Sequence, residues 1–143
     1  MREMSLQSKE AVERRERLRI LIVDDHPGTR RALELVLRWL RCPADVVENG
    51  REAVERLREQ DYDLVFMDVL MATMDGIAAT RQIRKDRPYD AGPRIVGMSA
   101  DSSLDDQETC FAAGMDDFLS KPIDVDALVR VLDRTATGLL AVC

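Results

Sequence analysis

Leu64-Val65-Phe66-Met67-Asp68-Val69-Leu70-Met71-Ala72-Thr73-Met74-Asp75-Gly76 is the stretch that decides the fold. Four apolar residues lead straight into a carboxylate, and a loop then closes on a glycine. An apolar run without alternation fits a strand buried on both faces, as in the middle of a parallel sheet. Open α/β sheets place their ligand sites at the carboxyl ends of the strands, and Asp68 falls at that end. A carboxylate there is costly unless it has a partner or chemistry to perform.

Upstream, Arg19-Ile20-Leu21-Ile22-Val23 is a second such run, ending in Asp24-Asp25-His26-Pro27. Residues 28–40 carry Leu33, Val36, Leu37 and Leu40 at helical spacing, with Trp39 at the far end. Ala44–Val47 reads as a shorter edge strand, Asn49-Gly50 turns the chain, and Ala53, Val54 and Leu57 mark one face of a second helix. Downstream, a third helix starts near Gly76 and ends before Pro88, because proline disfavours helical geometry in the residue before it. Arg94–Met98 is a fourth strand, ending at Ser99. The helix from about Ser103 to Ala113 is poor in apolar residues; Leu104, Phe111 and Ala112 are expected to pack it, which predicts a loosely held element. Asp117-Phe118-Leu119 is the fifth strand, followed by Ser120-Lys121-Pro122. The last helix carries Val125, Leu128, Val129 and Leu132, and Gly138 is expected to end it. Strands alternating with helices predict an α/β doubly wound, five-stranded parallel sheet with helices on both faces.

Four of these strands end in groups suited to phosphoryl transfer: Asp24 and Asp25, Asp68, Ser99, and Lys121 just after the fifth strand. A parallel sheet brings such ends together at one edge. Three neighbouring carboxylates raise one another's pKa values, and a hard divalent cation relieves the conflict.

This set, with the segment Met67 to Gly76, resembles the response-regulator receiver domain, in the form common in hybrid histidine kinases; Ala72 stands where that form has proline. The resemblance covers about residues 18–136 and implies a flavodoxin-like sheet of strand order 2-1-3-4-5. It implies Mg²⁺, or Mn²⁺, held by Asp25, Asp68 and the backbone carbonyl of Leu70, with Asp24 acting through a water. Asp68 is then the phosphoacceptor, taking its phosphoryl group from a phosphohistidine on a kinase or histidine phosphotransfer protein, or from an acyl phosphate. Lys121 and Ser99 neutralise phosphoryl oxygens, and Ser99 with Phe118 forms the switch. The switch repacks the face made by the helix after strand four, strand five and the last helix, which meets a downstream protein target. A cis Lys121-Pro122 bond is implied as well. The domain catalyses its own phosphorylation and dephosphorylation and is not otherwise an enzyme. Leu70 is apolar where many receivers are polar, so it is expected to shield the acyl phosphate, and Ala72 to leave its loop more mobile.

A chain of 143 residues fits one domain. Residues 1–17 read as a charged, solvated lead-in, with helical pairs Glu10–Arg14 and Glu13–Arg17, residues 18–137 as the receiver and 138–143 as a tail. The net charge of −6 argues against direct nucleic-acid binding. No apolar run reaches the roughly 18 residues of a membrane span, and the first residues lack a secretory core. Cys42, Cys110 and Cys143 fit neither a disulfide framework nor a zinc site, which points to a reducing cytoplasm. A monomer or a weak phosphorylation-dependent dimer is expected. His26 lacks a second histidine or a helical bundle around it and reads as a solvated loop residue.

Other classes fit less well. A haloacid-dehalogenase-like aspartyl-phosphate phosphatase wants a second acid where Leu70 stands. A flavodoxin-like cofactor domain wants a glycine-rich phosphate loop, and Asp-Asp-His-Pro would repel phosphate. A pseudo-receiver, acting as an unphosphorylated interaction module, usually lacks one of the acids or the lysine that this chain keeps.

Overall fold

The first central strand, β1 (Ile20–Val23), has every residue buried because both of its faces are covered. In the computed structural model, which describes residues 8–71, 74–87, 92–100 and 104–142, it pairs in parallel with β2 (Ala44–Val47) on one side and β3 (Leu64–Asp68) on the other. Strand β4 (Arg94–Ser99) pairs with β3, and β5 (Asp117–Ser120) with β4. The sheet order is therefore 2-1-3-4-5, with the crossover between β1 and β3. Among the described residues six helices accompany it: α1 (Lys9–Glu16), α2 (Pro27–Trp39), α3 (Gly50–Glu59), α4 (Gly76–Asp86), α5 (Leu104–Ala113) and α6 (Val125–Val142).

Alternate residues of each strand feed two cores. Ile20, Ile22, Leu64 and Phe66 pack beneath Leu33 and Leu37 of α2 and Leu128 and Leu132 of α6. Leu21, Val23, Val65 and Met67 pack on the opposite face beneath Val54 and Leu57 of α3, Ala79 and Ile83 of α4, and Cys110 of α5. Helices on both faces explain why these strands read as continuous apolar runs. Among the described residues, no helix is long and apolar enough to cross a membrane.

Three expectations change. Gly138 does not end the last helix, which runs on to Val142 through the boundary drawn at residue 138; the Leu-Leu-Ala-Val that follows is helix-forming, and Gly138 has no left-handed φ to break it. Helix α5 packs through Cys110 and Ala113, which are buried, while Phe111 and Ala112 face outward. The cysteine serves there as a small apolar residue; the side chain of Leu104 and all of Ser103 lie outside the described residues. The lead-in, finally, is not wholly solvated. Arg15 of α1 is 3 % exposed and forms an ion pair with Asp133 of α6 at 3.2 Å. Leu18 completes the α2–α6 core beside Cys42.

Candidate phosphoacceptor site

Each functional side chain sits where a strand stops. Asp68 closes β3, and its backbone pairs with Met98 of β4. Asp24 follows β1, and its N–H donates to the carbonyl of Val47 at 3.3 Å. Its carboxylate is 1 % exposed. One oxygen accepts the backbone N–H of His26 at 2.9 Å, and the other accepts from the Lys121 ammonium at 3.2 Å. Asp25, the next residue, is exposed.

Lys121 lies 3.4 Å from the Asp68 carboxylate as well. It is fixed there by its N–H, which donates to the carbonyl of Ser99 at 2.9 Å, and the Lys121-Pro122 bond is cis. Ser99 ends β4 and is buried. Phe118 of β5 pairs with Gly97 of β4, two residue pairs below Ser99 and so on the same face. It is half-buried and packs on the second core.

The loop after Asp68 is drawn tight. Val69 donates its N–H to the carbonyl of Met98 at 3.0 Å, and its own carbonyl accepts the N–H of Gly76 at 3.0 Å. Gly76 is required here: a Cβ would run into the carbonyl oxygen of Asp68. Leu70 turns its side chain out, 71 % exposed. Ala72 lies outside the described residues.

Carboxylate oxygens of Asp24, Asp25 and Asp68 all lie within 4.8 Å of one another. The electrostatic consequence falls on Asp68. Burial pushes its carboxyl up to about 6; the Lys121 ammonium works against that rise and the Asp24 carboxylate adds to it. Hard oxygen donors, mutually repelling and held at short range, fit Mg²⁺ by donor chemistry. The residues singled out in the sequence, Asp24, Asp25, Asp68, Ser99 and Lys121, thus share one end of the sheet.

Sequence reasoning missed two supports. Arg30, one turn into α2, donates from its guanidinium to the carbonyl of Asp24 at 2.8 Å and braces the acidic turn. His26 is the N-cap of α2, its ring Nδ1 accepting the N–H of Thr29 at 3.3 Å. The signal for the cap was present, since Pro27 at the first helical position marks a helix start.

Residues 20–133 match the response regulator receiver domain family. Hybrid signal transduction histidine kinase F of Dictyostelium discoideum is 37 % identical over 123 residues; the match covers 84 % of this chain and 11 % of that kinase. The receiver domain of sensor histidine kinase PA1611 from Pseudomonas aeruginosa, solved with a magnesium ion coordinated in its active-site cleft, is 34 % identical; the two superpose with a TM-score of 0.77 over 84 % of this chain and 98 % of that one. The receiver domain of the Saccharomyces cerevisiae response regulator Ssk1, crystallised with the histidine phosphotransfer protein Ypd1, has a TM-score of 0.78 at 28 % identity, over 84 % of this chain and 89 % of that one. The fold, the carboxylates gathered at the strand ends and these likenesses agree, and the chain belongs to the response regulator receiver domain family of two-component phosphorelay signalling.

Proposed function

We propose that Asp68 is the phosphoacceptor, and that phosphorylation there switches the face formed by α5, β5 and α6. One observation carries the reading. Asp68 is nearly buried yet within 3.4 Å of an ammonium and beside two further carboxylates. That arrangement costs the resting protein stability and suits phosphoryl transfer.

Asp25, Asp68 and the Leu70 carbonyl would hold Mg²⁺ or Mn²⁺, with Asp24 acting through a water. When bound, the ion supplies positive charge for the phosphoryl group. The remaining steps belong to the chain. An Asp68 oxygen attacks phosphorus, the bond from phosphorus to the donor's imidazole nitrogen breaks, and that nitrogen keeps the electron pair. Lys121 neutralises charge spreading onto the equatorial oxygens, and the Ser99 hydroxyl donates to another. Drawing Ser99 toward the phosphoryl group opens space that Phe118 turns to fill, because packed cores change between discrete arrangements. Water later hydrolyses the acyl phosphate and resets Asp68, so the domain is a self-catalysing switch rather than a turnover enzyme.

A cytoplasmic histidine kinase or histidine phosphotransfer protein is the proposed donor and a downstream protein the target. Ssk1's receiver was crystallised with such a phosphotransfer protein, which supports this choice of partner. The test is intact-mass measurement after incubation with acetyl phosphate and Mg²⁺, beside Asp68→Asn and a metal-free control. One added phosphoryl group, absent from both controls, is expected. No mass gain where another receiver reacts, and none from a phosphorylated phosphotransfer protein, would overturn the reading in favour of an unphosphorylated interaction module.

A further inference from the structure

We infer that Gly50, on a helix that contributes no side chain to the site, is a positioning residue for the metal-binding loop; the inference rests on the metal reading above. Gly50 is the first residue of α3, and a Cβ built there would run into the carbonyl oxygen of Met74 and lie 3.2 Å from that residue's carbonyl carbon. Both are backbone atoms, so no side-chain rotation relieves the clash. Neither side yields easily. The α3 terminus is locked by Asn49, whose side chain accepts the N–H of Glu52 at 2.9 Å, and by Glu52, whose carboxylate accepts the N–H of Glu48 at 2.8 Å. Met74 is already held at φ 52, a left-handed conformation that disfavours a side chain.

From Met74 the path to the acids is short. Two residues on, Gly76 donates to the Val69 carbonyl at 3.0 Å and abuts the carbonyl of Asp68. Displacing Met74 therefore moves the neck of the loop between Asp68 and the carbonyl of Leu70. Mg²⁺ demands near-ideal octahedral geometry, whereas Ca²⁺ tolerates irregular, larger shells. A displacement of this kind should weaken Mg²⁺ binding and spare Ca²⁺. Groups that orient ligands from outside the first shell usually change metal affinity by about 10- to 100-fold.

The same Cβ would also lie 2.9 Å from the Cβ of Ala79 in α4, which supplies the control. The variants are Gly50→Ala and Gly50→Ala/Ala79→Gly. The second relieves the helix contact but leaves the clash with Met74. Amide NMR titrations with Mg²⁺ alone and Ca²⁺ alone give both dissociation constants, and thermal melts report folding. Expected for both variants is a loss of about tenfold or more in Mg²⁺ affinity, with Ca²⁺ affinity little changed. Equal losses for the two ions, Mg²⁺ affinity unchanged while the melting temperature falls, or recovery of Mg²⁺ affinity in the double variant would each overturn the inference and leave Gly50 a packing residue. If the native protein itself binds no Mg²⁺, the metal reading fails and takes this inference with it; native binding with unaltered variants defeats the inference alone.

Discussion

Replacing Asp68 by asparagine should make the metal-free protein more stable at neutral pH. Burial holds the Asp68 carboxyl up, from 3.8 to about 6, and that value is already net of the attraction of Lys121. Holding the charged form at pH 7 therefore costs about 3 kcal/mol. Asparagine has nearly the same shape and no charge. Compared with the protonated acid, its amide adds a second N–H that must find an acceptor beside the Lys121 ammonium, which takes back about 1 kcal/mol. The net gain is about 2 kcal/mol, about 6 °C in melting temperature for a domain of this size. The sign fixes the pH window. A carboxyl whose folded-state pKa is raised contributes stability that is fully present below 3.8 and is lost as pH rises through about 6. The two proteins should thus converge near pH 4 and separate fully above pH 7. Urea denaturation of both in EDTA at the two pH values is the assay. Saturating Mg²⁺ should reverse the order, because ligand binding stabilises the native protein by RT ln(1 + [L]/Kd), about 2.7 kcal/mol at a hundredfold excess over Kd. An asparagine variant no more stable than native at pH 7 in EDTA, or an advantage that persists at pH 4, would refute the reasoning.

Three further outcomes are expected. Leu70→Asn places a polar side chain at the exposed rim of the site, where it can orient water, and should speed loss of the phosphoryl group about fivefold, roughly 1 kcal/mol off the barrier; an unchanged or slower decay in a dephosphorylation time course counts against a shielding leucine. Asp133→Asn should lower stability by about 1 kcal/mol in urea denaturation, because it removes the carboxylate that the buried Arg15 guanidinium meets at 3.2 Å; no loss would show that this ion pair does not help hold α1 to α6. Cys42, fully buried, has its thiol pushed up to about 11 by burial, with Arg15 opposing, so peptide mapping after maleimide treatment at pH 8 should find it unmodified in native protein and modified after unfolding.

The sheet was legible because its strands are covered on both faces, so Ile20–Val23 and Leu64–Met67 had to be apolar throughout. The acids, the serine and the lysine were legible for a related reason: each interrupts or follows an apolar run at the point where the strand ends. What escaped depends on pairs far apart in sequence or on the absence of an atom. Arg15 in a charge-rich segment reads as solvated, and only the fold brings Asp133, 118 residues away, against it. Asn49-Gly50 reads as a turn, yet the glycine's space is filled by a carbonyl from another loop. Gly138 reads as a stop, but a helix stops at glycine when the backbone takes the left-handed conformation, and here it does not.

Three carboxylates with oxygens within 4.8 Å of one another invite the question why one of them should be the nucleophile. Asp24 is the most buried, but both its oxygens are committed, one to the His26 N–H and one to the Lys121 ammonium. Lone pairs drawn into two hydrogen bonds, one of them to a full positive charge, are poor nucleophiles. Asp25 lies at the surface, where hydration must be stripped before attack. Asp68 combines what each lacks. Its burial raises its basicity, and with a pKa of about 6 it remains roughly nine-tenths ionised at pH 7. Lys121 stands 3.4 Å from one Asp68 oxygen, close enough to neutralise an arriving phosphoryl group. On the proposed reading, the same burial that destabilises the resting carboxylate would make it the reactive one, and the two acids beside it would hold charge in place.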